Sequence, residues 1–349
     1  MKFKKIKFPQ DEKPHNKIIE WWYFNGNLED DKGNQYSYMD CLFKADTEKI
    51  NLPLSNLIPA KYVYFSHHML SDIKNKKTYT EINPIVIIEK KKSHFLNLSY
   101  NAVIQNNIKF FIQQTGRKKY EIKTNIFRLK LKAEKEPLLE GGSGFLKFDS
   151  NSTYYYSLTD LKTKGKIKMN NKEIKVSGSS WMDHQWADIP YNSNKWNWFS
   201  MHLNNGTDIV CMEIYGRKKS YLVGIIDKEN KTIHTKNVKI KNLKNIWISR
   251  KTGASYPLSW EIKIPQIKAI LTVSPILKKQ EMVHGIINYW EGAIKILGTI
   301  NNNPILGSGF MELVGYPMKK SILKQYEEKI EKYFSENIKN FKKFLSKLF

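Results

Sequence analysis

An aspartate and a histidine stand side by side between two tryptophans in the segment SSWMDHQWAD, residues 179–188. The indole rings of Trp181 and Trp186 would partly desolvate a nearby carboxyl group, which raises its pKa and keeps it protonated near neutral pH. Asp183 is therefore the candidate proton donor of this segment. His184 is the candidate partner, either holding the aspartate by a hydrogen bond or taking a proton from a water molecule.

The same pair also has a purely structural interpretation. If residues 180–185 form a regular strand, Asp183 and His184 point to opposite faces, and one of them alone reaches a cavity. A bulge at this step would bring both side chains to the same face. In the structural alternative, Asp183 caps a turn and His184 forms a hydrogen bond across a domain junction.

Aromatic side chains recur in two further segments with strand-like sequences. In EWWYFNGNL, residues 20–28, successive rings alternate between the two faces, and the same holds for YYYS, residues 154–157. Such rings either line a cavity for an apolar ligand or plug one end of a barrel. Rings of Trp and Tyr also stabilise a nearby cation by about 0.5–2 kcal/mol each. The residues predicted to contact a small hydrophobic ligand are Trp21, Trp22, Tyr23, His67, Tyr154, Tyr156, Trp181, Trp186 and Trp198.

The histidines and cysteines do not form a metal-binding pattern. His67 and His68 are adjacent in YFSHHMLSD, residues 64–72, so they face opposite sides of a strand and cannot chelate one ion together. Zinc would need further ligands at suitable spacing, and none stands beside them. Cys41 and Cys211 lie in apolar, strand-like runs that favour buried reduced thiols. Since the sequence has no G-x-S-x-G elbow, phosphate loop or dinucleotide fingerprint, we expect no metal and no cofactor.

Strands are the elements that must position these residues. Short β-branched and aromatic runs dominate the chain, for example KYVYFSHHML at 61–70 and PLSWEIKIP at 257–265. Frequent turn signals between them predict antiparallel barrels or sandwiches rather than βαβ units. The Pro- and Asn-rich segment DIPYNSN, residues 188–194, predicts a boundary between two similar β-rich halves.

Residues 318–349 differ from the rest of the chain. Apolar residues recur there at intervals of three or four, which predicts a basic amphipathic helix. This helix either packs on a barrel or on a partner helix, or it lies on a membrane surface through its lysines, phenylalanines and leucines.

The net charge of +25 does not indicate nucleic-acid binding. Of 58 basic residues, only Arg117, Arg128, Arg217 and Arg250 are arginines, the residue whose planar fork grips phosphates and reads bases. A general attraction to anionic membrane surfaces needs charge alone and fits better. No apolar run is long enough to span a bilayer, and the basic start lacks the apolar segment of a signal peptide. The predicted location is cytoplasmic, with membrane association as an alternative.

Several strings occur in the order seen in one known family. EWWYFNG, YFSHHMLSD, VSGSSWMDHQWAD, YWEGAIKILG and GSGFMELVGY together resemble the carotenoid 1,2-hydratase and AttH-domain group. The resemblance spans roughly residues 16–316. It implies an all-β fold of two tandem lipocalin-like antiparallel barrels, at residues 16–190 and 191–317, followed by the helical tail at 318–349.

The resemblance also narrows the chemistry. Members of this group include enzymes that hydrate unactivated alkenes in carotenoids, so it implies a cofactor-independent hydratase, or a related acid-catalysed lyase or isomerase. The substrate would be an isoprenoid-like molecule in the first barrel, with Asp183 as acid. A non-catalytic carrier of a hydrophobic ligand and a membrane-docked scaffold are the alternatives. The high charge, the basic tail and His68, where relatives tend to have an aromatic residue, depart from the family pattern.

Overall fold

The structure is a computed structural model that describes residues 3–50, 60–89, 92–102, 109–148, 151–189, 195–284 and 287–325, with residues 328 and 332. Within these ranges, nearly every regular element is a β-strand. The predicted all-β fold class is confirmed. The predicted boundary at residues 190–191 lies outside the described residues.

Twelve strands form the first unit. They are β1 (Ile19–Asp30), β2 (Gln35–Asp46), β3 (Tyr62–Asp72), β4 (Lys77–Glu89), β5 (Asn97–Ala102), β6 (Lys109–Gly116), β7 (Lys119–Lys123), β8 (Phe127–Ala133), β9 (Leu138–Leu139), β10 (Phe145–Phe148), β11 (Asn151–Met169) and β12 (Lys172–Ala187). Ten of them close into an antiparallel barrel, because β8 pairs with β11 from Ala133 opposite Leu161 to Phe127 opposite Ile167. The short strands β9 and β10 pair with β11 outside this closed path.

Side chains fill the interior of the first barrel. Alternation along β1 sends Trp22 and Phe24 inward, where they join a large cluster of buried aromatic and aliphatic residues. The segment before β1 closes one end of the barrel, since the buried Glu12 accepts hydrogen bonds there from Trp22 Nε1, through its backbone oxygen, and from the Tyr120 hydroxyl. Among the described residues, these interior rings and the closing segment pack the inside of the first barrel.

Twelve strands also form the second unit. They are β13 (Lys195–Leu203), β14 (Asp208–Tyr215), β15 (Lys219–Ile226), β16 (Thr232–Thr235), β17 (Lys239–Asn242), β18 (Ile246–Ile248), β19 (Ser255–Pro257), β20 (Trp260–Ile264), β21 (Ala269–Pro275), β22 (Glu281–His284), β23 (Ile287–Ile300) and β24 (Asn303–Val314). Ten of these make one antiparallel sheet, and β18 pairs with β19 separately. Within the described ranges the end strands β16 and β17 do not pair with each other, so this sheet curls into a half-barrel rather than a closed barrel.

The two units share a hydrophobic cluster at their contact. Odd-numbered residues of the first unit, such as Tyr23, Met39 and Cys41, point out of the closed barrel and pack against residues of the second sheet such as Trp198 and Phe310. Polar contacts cross the same boundary. One joins a ring nitrogen of His67 to the Tyr289 hydroxyl at 2.7 Å, and another joins Lys135 Nζ to Asp208 Oδ2 at 2.6 Å.

The tail begins as predicted, with a helix at residues 320–325. Most of residues 326–349 lies outside the described residues, so the membrane-surface role of the tail stays a prediction. Among the described residues, no helix combines the length and the apolar character needed to cross a membrane. The cytoplasmic location stays a prediction as well.

Candidate active site between the two units

A cavity of about 240 Å³ lies between the outer face of the first barrel and the half-barrel of the second unit. Its walls are mostly aromatic and aliphatic side chains, and they include three carboxyl groups, those of Asp183, Glu291 and Glu312. Lys218 and Ser220 lie on the β14–β15 side of the cavity, and Lys218 is exposed. The lining includes Ile19, Trp21, Tyr23, Met39, Cys41, Phe43, Tyr155, Asp183, Gln185, Trp196, Trp198, Met212, Tyr289, Glu291, Glu312 and Val314.

Asp183 is a buried wall residue of this cavity, with 3% of its surface exposed. Its carboxylate accepts hydrogen bonds from Ser157 Oγ at 2.6 Å, Trp181 Nε1 at 2.6 Å and the Tyr155 hydroxyl at 2.7 Å. Burial raises the pKa of Asp183 to about 6, although these three hydrogen bonds act to lower it. Because all three donors are uncharged, the carboxyl group is held in place without an ion pair.

Further polar groups support the donors to Asp183. Trp198 Nε1 donates to the Tyr155 oxygen at 2.9 Å, so an indole of the second unit orients a phenol of the first. Ser157 Oγ also lies 3.2 Å from Glu140 Oε1. Glu140 is fully buried, and burial together with the charge of Asp183 raises its pKa well above its usual range. A protonated Glu140 can therefore donate to Ser157, whose own hydrogen then points at Asp183.

Two more carboxyl groups line the cavity from the second sheet. Glu291 on β23 and Glu312 on β24 are directly opposite each other in the ladder, and both line the cavity. The Tyr23 hydroxyl donates to Glu291 Oε1 at 2.7 Å, and Trp196 Nε1 donates to Glu312 Oε1 at 2.6 Å. Neither glutamate is among the site residues predicted from the sequence, although both stand inside the strings YWEG and GFMELVGY on which the resemblance rests.

His184 does not share the cavity with Asp183. Residues 180–185 belong to the regular strand β12, so His184 points into the first barrel, where it stacks on Trp22. Its Nε2 lies 3.0 Å from Glu20 Oε1, and its Nδ1 lies 3.3 Å from the Tyr156 hydroxyl. The predicted roles of holding Asp183 and of deprotonating a water beside it are therefore wrong, because the pleat separates the two side chains.

The predicted ligand-contact residues divide between the two faces of the barrel wall. Trp21, Tyr23 and Trp198 line the cavity, and Trp181 lies behind Asp183 as a hydrogen-bond donor. His67 contacts the cavity residue Tyr289 through its hydrogen bond. The remaining four lie in the packed barrel interior, apart from the cavity, and are Trp22, Tyr154, Tyr156 and Trp186. The cavity that Asp183 lines therefore lies between the units and not inside the first barrel.

A family model described as AttH-like matches residues 2–316. The chain belongs to the AttH-like family. The predicted AttH-domain resemblance is confirmed, while the narrower resemblance to carotenoid 1,2-hydratases stays a prediction. Two curated relatives of this AttH-like chain carry names of hydro-lyases. Kievitone hydratase of Fusarium solani subsp. phaseoli is 24% identical over 276 residues, covering 73% of this chain and 78% of the relative. Dehydratase asqC of Emericella nidulans is 23% identical over 202 residues, covering 54% and 58%.

Solved structures share the fold of this AttH-like chain. An AttH protein from Nitrosomonas europaea superposes with a TM-score of 0.73 at 23% identity, covering 90% of this chain and 98% of that one. Kievitone hydratase from Nectria haematococca gives a TM-score of 0.70 at 18% identity, covering 89% and 93%. The two-unit β architecture is therefore common to these proteins.

One cluster in the AttH-like chain has the residue types of a metal site. His15, Glu20 and His184 bring potential ligand atoms within 4.8 Å of one another. Glu20, however, already accepts hydrogen bonds from the His15 backbone nitrogen at 2.8 Å and from Lys44 Nζ at 3.2 Å. Burial would raise the pKa of Glu20, but hydrogen bonds from both imidazoles outweigh it and lower the pKa to about 2. The ammonium group of Lys44 already balances the charge of the Glu20 carboxylate and would repel a metal cation bound beside it. We therefore interpret the cluster as structural.

A second constellation resembles a Ser-His-Asp triad. The two ring nitrogens of His68 lie 3.0 Å from Ser66 Oγ and 2.9 Å from Asp40 Oδ1. All three side chains are fully buried inside the first barrel. A catalytic nucleophile must contact its substrate, and Ser66 is buried away from one. We therefore interpret the three residues as structural hydrogen-bond partners inside the barrel and not as a site of acyl transfer.

Proposed function

We propose that this AttH-like chain is a cofactor-independent hydro-lyase, adding water to or removing it from a hydrophobic molecule held between the two units. The observation that carries the proposal is the position of Asp183, a buried carboxyl group with three uncharged donors in an aromatic-walled cavity. The hydro-lyase names of two relatives that cover more than half of the chain support the same reaction class. Similarity of fold alone does not identify the reaction that a protein catalyses.

Hydration of an unactivated alkene moves two protons. One goes to an alkene carbon and leaves a carbocation at its neighbour, and the other leaves the water molecule that attacks this cation. A pKa of about 6 keeps both protonation states of Asp183 accessible near neutral pH, which suits either transfer. Trp21, Trp196 and Trp198 line the same cavity, and an indole face turned to the cation would stabilise it by about 0.5–2 kcal/mol.

The size of the cavity favours a compact substrate. Its volume of about 240 Å³ lies below the range of roughly 300–1,000 Å³ that pockets for drug-sized ligands occupy. We infer a compact substrate that carries a short branched alkene, such as a prenyl unit. A whole carotenoid would have to place most of its length outside this space.

The test uses 4-prenylphenol and kievitone in water enriched in oxygen-18. Wild-type protein is expected to give a labelled alcohol by mass spectrometry, and Asp183→Asn is expected to slow its formation at least about 100-fold, the usual size of an acid–base contribution. Asp160→Asn is the matched control, because Asp160 contacts Ser179 away from the cavity lining. Equal rates for wild type and Asp183→Asn would end the role of Asp183.

The carrier alternative makes a different prediction for the same samples. A carrier would retain a hydrophobic ligand unaltered through purification, as native mass spectrometry would detect, and would give no labelled alcohol. Three carboxyl groups on the wall of one apolar cavity favour the enzyme, since carrying an apolar ligand does not require burying them.

A further inference from the structure

Asp183 leaves one of the two proton transfers without a group to perform it. The inference that follows rests on the proposed hydro-lyase function and concerns the opposite wall of the same cavity. Tyr23 and Asp183 are directly opposite each other on β1 and β12, and the Tyr23 hydroxyl reaches Glu291 Oε1 at 2.7 Å. Glu291 and Glu312 therefore face the space beside Asp183 from the second sheet.

The position of these two glutamates indicates that they hold one proton between them. They are directly opposite each other in the ladder and line the same apolar cavity, where two neighbouring carboxyl groups cannot both ionise without strong repulsion between like charges. Burial and the neighbouring carboxyl groups raise the pKa of Glu291 well above its usual range. Burial also raises the pKa of Glu312 to about 7. Glu291 Oε2 has no hydrogen-bond donor among the described residues, which leaves it able to present a proton.

The surroundings of Asp183 favour the opposite state. Its two oxygens accept three hydrogen bonds, from Ser157, Trp181 and Tyr155, and these stabilise the ionised form relative to a carboxyl in a dry pocket without donors. Within one cavity, the environment of Asp183 thus favours a proton acceptor, and the environment of the glutamate pair favours a proton donor. Carboxyl groups whose surroundings separate their pKa values in this way can act as the acid and the base of one reaction.

We propose that the Glu291–Glu312 pair is the second proton-transfer group of the site and handles the proton on carbon, while Asp183 handles the proton on oxygen. In hydration, the pair gives its shared proton to the alkene, water attacks the cation, and Asp183 takes one proton from that water. The product gains H on one carbon and OH on the other, and one proton passing from Asp183 to the pair through solvent restores the enzyme. In dehydration, protonated Asp183 releases the hydroxyl as water and the pair removes the proton from carbon. The donor role predicted for Asp183 from the sequence thereby passes to the pair.

The shared proton is tested first, without any substrate. Infrared spectra of the full chain at pH 7 are compared for wild type, Glu291→Gln, Glu312→Gln and the control Glu261→Gln, which alters a partly exposed residue of β20. The amide in Glu291→Gln can donate to the neighbouring carboxylate, so the fold should persist, and equal melting temperatures check this. A protonated carboxyl band should disappear in each cavity variant and persist in the control. Loss of carboxylate bands alone would overturn the proposal.

The assignment of the two protons is tested by exchange in D₂O with 4-prenylphenol. Asp183→Asn is expected to lose net hydration at least about 100-fold yet still carry deuterium into the recovered alkene, because the pair can protonate and deprotonate carbon. Glu291→Gln and Glu312→Gln are expected to lose both reactions. The opposite pattern, with exchange lost in Asp183→Asn and kept in the glutamate variants, would overturn the inference. If wild type neither hydrates nor exchanges the probe, the proposed function fails and the infrared result alone decides the shared proton.

Discussion

Asp183 and His184 are adjacent in the chain, yet their side chains leave β12 on opposite faces and contact different parts of the molecule. Asp183 meets Tyr155 and the cavity between the units, whereas His184 meets Glu20 and Tyr156 inside the barrel. The conspicuous Asp-His pair is therefore two sites separated by one barrel wall. We assign the proposed catalytic role to Asp183 on the outer face of the barrel and a structural role to His184 on the inner face.

Tyr155→Phe should raise the pKa of Asp183 further. The substitution removes one of three hydrogen bonds to the carboxylate, and losing a donor to the charged form disfavours ionisation. The acidic limb of the pH–rate profile, set by Asp183 ionising at about 6, should therefore move to higher pH. Tyr154→Phe is the matched control, because the neighbouring phenol points into the barrel and contacts the Lys4 backbone instead. Equal shifts in both variants would contradict the account.

Glu12→Gln should stabilise the protein at alkaline pH and not at acidic pH. Burial raises the pKa of Glu12 from 4.5 to about 7, so the folded state binds a proton that the unfolded state has lost between these values. Wild type consequently loses stability as the pH rises through this window, by about 3 kcal/mol for this group. The amide keeps an acceptor for Tyr120 and does not titrate.

The measurement is urea unfolding of wild type and Glu12→Gln at pH 5 and pH 8, with equal m-values as a condition. The difference in unfolding free energy should grow by about 2–3 kcal/mol from the lower to the higher pH. Asp227→Asn, in an exposed turn, should show no comparable growth. A difference independent of pH would show that Glu12 is not held protonated in the fold.

Lys44→Met should destabilise the protein by about 3 kcal/mol, since removing one partner of a buried ion pair leaves the other uncompensated. Lys44 and Glu20 are both buried, and their charged atoms lie 3.2 Å apart. Lys109→Met breaks a more exposed pair with Glu89 and should cost less than about 1 kcal/mol. Chemical denaturation compares the two. Equal losses, or a large rise in wild-type stability on adding zinc, would contradict the structural reading of this cluster.

Strand periodicity predicted much of what lies within one sheet. The predicted alternation of rings in EWWYFNGNL is found in the structure, with Trp22 and Phe24 on the inner face and Trp21 and Tyr23 on the outer one. The same period of two predicts that the side chains of Asp183 and His184 point to opposite faces if residues 180–185 form a regular strand. Such local patterns are set by residues next to each other in the chain, so a single sequence displays them.

Contacts between the two units were not accessible to the same reasoning. Tyr23 and Glu291 meet across 268 positions of the chain, and their contact depends on how one curled sheet lies against the other. Nothing in local spacing distinguishes Glu291 or Glu312 from the many glutamates on solvated strand faces. The sequence therefore predicts a ligand inside the first barrel, whereas the cavity that Asp183 lines lies between the units.

The most direct test of the central claim is a crystal structure of Asp183→Asn with 4-prenylphenol bound, the substitution serving to keep the alkene unconverted. If the substrate binds between the units, electron density is expected between Asp183 and Glu291, with the aromatic ring against Trp198. Density inside the first barrel, beside Trp22 and Tyr156, would contradict the central claim.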